Sequence, residues 1–142
     1  MLEQFMQQFF GEHHLITWMQ LALLLFLAVL FLQSGFDKVV NRAGNLEWLK
    51  GHFSKTIFKN QVPLLLSVVT IMEMLSGLLC ALGSVTLGFF HSASLGILGV
   101  MLSIKTLFLL FAGQRIAQDY EGASTLASYF LLCLFGLFLF TI

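Results

Sequence analysis

The chain has 142 residues, seven Lys and Arg against seven Asp and Glu, 58% hydrophobic residues and only 10% charged ones, with a mean hydropathy of +0.93. A soluble domain carries about a quarter charged residues, so this composition belongs to the membrane class and to a single domain spanning residues 1–142. A net charge of zero and the lack of a basic low-complexity tail give no basis for nucleic-acid binding.

The N-terminal stretch MLEQFMQQFFGEHHL has no basic n-region, and no small-residue cleavage site follows it. It is expected to be retained rather than removed as a signal peptide. Four apolar runs follow, at about Leu15 to Phe36, Val62 to Gly83, Leu87 to Ala112 and Ser124 to Ile142. Each is long enough to cross about 30 Å of hydrocarbon. The expected fold is therefore all-α, a four-helix transmembrane bundle running up and down. Its second and third helices should form a tight hairpin through Ser84, Val85 and Thr86. Gly35 to Gln61 is too long for a turn. Leu46, Leu49, Phe53, Ile57 and Phe58 recur there at helical spacing, with Trp48 beside them and Lys50, Lys55 and Lys59 among them. That pattern predicts an amphipathic basic segment in the membrane interface between helices 1 and 2, against anionic lipid.

Five of the seven Lys and Arg fall in the first connection, and Lys105 and Arg115 lie toward the same side, in and just after the third run. The positive-inside rule then places both long connections in the cytoplasm and both termini outside.

The second run, VPLLLSVVTIMEMLSGLLCALG, carries one acid at its centre, Glu73. At 100° per residue, Thr70, Ser76, Gly77, Cys80 and Ser84 share its face. An acid in hydrocarbon faces a partner or a cavity, so this small polar face should look into the bundle. Glu73 is expected to be buried with a polar partner, the candidates being Lys105, Gln33 and Tyr129 in that order. Lys105 conflicts with its own helix. Ser92, Gly96, Gly99 and Ser103 make a small-residue stripe there, and Lys105 points nearly opposite. Which side faces inward is not readable from periodicity, and snorkelling to the headgroups is the alternative.

More polar residues gather toward the basic end: Gln33, Asp37 and Lys38 closing the first helix, Gln114, Arg115 and Asp119 with Tyr120 closing the third, and Tyr129 one turn into the fourth. Together they would line a polar vestibule floored by Glu73. A set of interhelical bonds that only specify packing is the competing reading. At the other end His13, His14 and His91 have no ligand spacing or acid partner to support a metal site. Cys80 and Cys133 lie in apolar runs without a CxxC and read as buried free thiols. No nucleophile elbow, phosphate loop, zincin or haem-attachment motif is present.

QSGFDKV at the end of the first helix (Gly35, Asp37, Lys38) resembles the G-x-x-K close of the first helix in the DoxX family. Glu73, Gly77, Leu82 and Gly83 are similar to the E-x-x-x-G and terminal L-G of that family's second helix. GQRIAQDYEGA resembles the polar connection before the last helix in variants from Bacteroidota-type bacteria. The resemblance covers nearly the whole chain. It implies a four-helix protein of the bacterial inner membrane, in a family linked to quinone-dependent sulfur oxidation, oxidative-stress complexes and membrane-protein assembly. The chain lacks the CxxC of the broader vitamin K epoxide reductase-like relatives. Two functions follow as expectations. One is a redox-associated accessory subunit that binds a quinone or another apolar ligand, with no covalently bound cofactor, beside a membrane-protein partner or a second copy. The other is a structural or assembly subunit of a larger membrane complex.

Overall fold

The computed structural model describes the backbone of residues 1–142 and the side chains of all but Phe9, Phe10 and Glu12. Six helices account for the described chain: α1 (Leu2–Phe10), α2 (Glu12–Val40), α3 (Arg42–His52), α4 (Val62–Phe90), α5 (Ser94–Ile116) and α6 (Tyr120–Leu139). Four of them, α2, α4, α5 and α6, are long and apolar enough to cross a membrane, so the all-α four-span architecture holds. Neighbouring spans pack in the order α2, α4, α5, α6. A core of Leu24, Leu27, Phe31, Cys80, Val100, Leu107 and Cys133 lies between them. Large apolar side chains such as Leu25, Val29, Leu78, Leu131 and Phe138 cover the outside, the inverse of a soluble protein and the surface a bilayer solvates.

The hairpin between the second and third spans lies elsewhere than Ser84–Thr86. Helix α4 runs on to Phe90 and turns at His91, whose φ of 54° is left-handed. The hydroxyls read as a turn are accommodated inside the helix. Ser84 Oγ donates to the Ala81 carbonyl at 2.6 Å and Thr86 Oγ1 to that of Gly83 at 3.1 Å. Such local bonding lets Ser and Thr sit in an apolar helix without ending it.

The interfacial segment is helical only as far as His52. Ser54 Oγ then donates to the Gly51 carbonyl and Thr56 Oγ1 to that of Phe53, while Thr56 Oγ1 accepts from the Phe58 amide. These bonds replace the helical ladder with successive turns. Phe53 is buried, and Ile57, expected on the same stripe, is 82% exposed.

Helix α1, not anticipated from the sequence, precedes the first span and touches α2. Its Leu2, Phe5 and Met6 are exposed.

The antiparallel register of α2 and α4 is offset. A Cβ on Gly35 would meet Met74, and one on Gly77 would meet Leu32. Continuing that register puts the last residue of α2, Val40, level with about Val69. The first two turns of α4 therefore project beyond α2, and α3 fills the space. Arg42 pins the arrangement, donating to Ser67 Oγ at 2.9 Å.

Candidate functional site

Glu73 is 2% exposed, and the small polar face around it is interior: Thr70, Ser76, Gly77, Cys80 and Ser84 are all buried. Its partner is Lys38 rather than Lys105, Gln33 or Tyr129. The Lys38 ammonium sits 3.0 Å from Glu73 Oε2 and donates to Ser34 Oγ at 2.8 Å. Ser34 Oγ donates in turn to Glu73 Oε1 at 3.0 Å. Charge and hydrogen bonds thus close a ring of three side chains from two helices, the arrangement that makes a buried ion pair tolerable. Glu73 Oε2 has the ammonium's charge but no aligned hydrogen bond, so acceptor capacity is left over.

The face that Lys38 occupies, though not its depth, is readable from the sequence. Leu24, Leu27, Phe31 and Gly35 are the buried stripe of α2, and Lys38 continues it by one more step of three. Gln33 and Asp37 share a face, as their spacing requires, but it is the outer one. They lie along a shallow groove on α2 with Leu30, Phe36 and Val40.

On α5 the small-residue stripe faces inward, with Gly96, Gly99 and Ser103 buried, and Lys105 is exposed on the opposite side. Ser92 falls in the turn before α5, outside the stripe. The seam between α4 and α5 carries its own polar bonds. Ser76 and Thr106 hydroxyls are 3.0 Å apart, and Cys80 Sγ and Ser103 Oγ 3.7 Å.

A second polar cluster forms where α3, α5 and α6 meet. His52 Nε2 lies 2.7 Å from Gln114 Oε1 and 3.9 Å from Asp119 Oδ2. Trp48 stacks on the imidazole at 4.4 Å, and Phe53 packs edge-on to it. Asp119 is held as the N-cap of α6 by accepting from the Gly122 amide at 2.9 Å, a standard use of Asp at that position. His52 was not singled out from the sequence. Only its place three residues after Leu49 and next to Phe53 on the amphipathic segment points to it.

Between the two clusters lies a cavity of about 230 Å³. Its walls are apolar, from Leu49, Phe53 and Phe58 on the α3 side, Leu65, Leu66 and Val69 on α4, and Leu109, Leu110 and Gly113 on α5. Lys38, Trp48, His52 and Gln114 are the lining residues with polar side-chain atoms. Of the residues expected to make a vestibule, Lys38 and Gln114 line this cavity, with Glu73 behind Lys38 and Asp119 behind His52. Arg115 turns outward, its guanidinium 4.6 Å from the centre of the Tyr120 ring. Tyr129 packs near Phe26, ring centres 6.2 Å apart. Among the described residues, no three His, Cys, Asp or Glu side chains gather in a metal-binding group, and Cys80 and Cys133 are both free thiols.

The arrangement is an apolar cavity with hydrocarbon and aromatic walls, bordered by an ammonium held by Ser34 and Glu73 and by an imidazole–amide pair. No family model, curated protein or solved structure matches the chain.

Proposed function

We propose that this chain is a DoxX-like protein of the bacterial inner membrane that binds the head group of a quinone or a similar apolar ligand, and that it serves as a redox-associated accessory subunit. The observation that carries the reading is the apolar cavity with Lys38, His52 and Gln114 on its wall. A whole-ligand pocket usually measures about 300–1,000 Å³. This smaller one fits a ring, with an isoprenoid tail left to run along the lipid-facing helices. Lys38, oriented by Ser34 and Glu73, would donate to one ring oxygen, and His52 or Gln114 would hydrogen-bond another polar edge. Electrons would come from a membrane partner that carries its own redox centre. The basic residues cluster at the end of the bundle that holds the cavity, which supports a cytoplasmic position for the cavity and an outside position for both termini.

Trp48 lines the cavity and Trp18 is the only other tryptophan. In a Trp18→Phe background, titration with a short-chain benzoquinone or naphthoquinone in detergent should quench Trp48 saturably. Gly113→Leu, which fills the cavity, should abolish the saturable component. Quenching that rises linearly with quinone, or that is the same in Gly113→Leu, is partition into the micelle and removes the proposal.

A further inference from the structure

Besides Arg115 and Glu121 at the helix ends, two charged side chains face outward from the spans without an ion-pair partner among the described residues: Asp37 on α2 and Lys105 on α5. Asp37 accepts only a long bond of 3.4 Å from Asn45 Nδ2. Lys105 stands at the centre of α5, eleven residues from both Ser94 and Ile116, or ~16 Å from either end. Its Cα–Cβ bond tilts toward the N-terminus of the helix, away from the basic end, so snorkelling toward that end works against the backbone.

The helix registers place the two charges at matching depth. Gly35 faces Met74, so Asp37 sits level with about Met72. Gly99 faces Cys80 and Thr106 bonds Ser76, so Lys105 sits level with about Met74 to Gly77. The difference along the bundle axis is about 3–8 Å, within the combined reach of the two side chains. Copies inserted in one orientation keep this match wherever the bilayer boundary falls.

Each charge is set in an apolar strip. Leu98, Met101 and Phe108 flank Lys105 and are exposed. Leu30, Phe36 and Val40 flank Asp37 along the shallow groove of α2. Both helices run in the same direction, and they belong to different sides of the bundle, since α2 packs mainly on α4 and α5 on α4 and α6. One molecule therefore cannot bring its own Lys105 to its own Asp37, but two molecules can.

We propose that the outward face of α5 docks onto the groove of α2 in a second copy of this chain, with Lys105 of one copy paired to Asp37 of the next. The contact is head-to-tail, so it builds a ring or a row in the membrane rather than a two-fold dimer. It removes both lone charges from lipid, which neither face can do alone.

Energy transfer between donor- and acceptor-labelled copies in lipid vesicles tests this. The parent should self-associate. Asp37→Lys and Lys105→Asp should each weaken association about tenfold, the scale of one interhelical polar contact in a bilayer, and the double swap should restore it. Parent-like association in the single variants, no association of the parent, or no recovery in the double swap overturns the proposal. A milder pair of variants guards against misfolding. Asp37→Cys and Lys105→Cys chains, mixed and gently oxidised, should give a disulfide-linked pair, whereas Asp37→Cys with Leu131→Cys, on the outer face of α6, should not. Equal yields in the two mixtures contradict the docking.

Discussion

The two ends of the α4–α5 pair are built on opposite terms. Toward the His91 turn the helices touch through backbone. A Cβ on Gly83 would lie 2.5 Å from the Gly96 Cα and one on Gly99 2.9 Å from the Cys80 amide nitrogen. Toward the basic end the same helices carry Leu65, Val69, Leu109 and Leu110, and the space beside them is closed by α3 and its turns, leaving a cavity. In lipid the hydrophobic effect does not drive helices together, so close packing of small residues and interhelical hydrogen bonds must hold the first region. The second region lacks that zipper and has room for a ligand. The Lys38–Glu73 ion pair stands where the two regions meet.

Breaking that pair should have the largest effect. Lys38→Met leaves a buried carboxylate with only Ser34 as partner, and removal of one member of a buried pair typically costs roughly 3–5 kcal/mol. Thermal unfolding in detergent should show the loss. The double variant Lys38→Met/Glu73→Leu should recover most of it, because no lone charge then remains. A Lys38→Met protein that melts like the parent would show that Glu73 is solvated or neutral, and the pair would not mark the boundary.

The contrast between the regions is sharpened by one substitution made twice. Gly83→Ala pushes a methyl into the Gly96 backbone and should destabilise by about 1–3 kcal/mol, the usual cost of overpacking. Gly113→Ala places its methyl 3.6 Å from Phe53 Cζ, an ordinary contact, and should gain up to ~1 kcal/mol from helix propensity. Equal losses at both sites would mean that the cavity end is as tightly packed as the seam.

Much of this was legible in the sequence because it depends on local periodicity. The four spans follow from apolar length, and the inward face of α4 follows from Thr70, Ser76, Gly77, Cys80 and Ser84 sharing an angle with Glu73. The partner of Glu73 was not legible, because depth counted from apolar boundaries assumes helices that end level. Helix α2 runs to Val40 and is offset against α4, which moves Lys38 to Glu73, while on α5 the stripe of Gly96, Gly99 and Ser103 takes the inward side and leaves Lys105 outside. Ser84 and Thr86 look like a turn only if their hydroxyls are counted as breakers, and each instead bonds a carbonyl of its own helix. His52 reaches Gln114 across sixty-two positions, a contact that no local pattern encodes.

Photolabelling tests the central claim most directly, that the space between Lys38–Glu73 and His52–Gln114 is a ligand site. An azido-quinone irradiated with the protein in vesicles, followed by mass spectrometry of the peptides, should label the segments 46–58 and 109–116, and an excess of unmodified short-chain quinone should suppress it. Label spread over the lipid-facing side chains of α2 and α6, such as Val29, Leu131 and Phe138, and unaffected by competitor, would contradict the account.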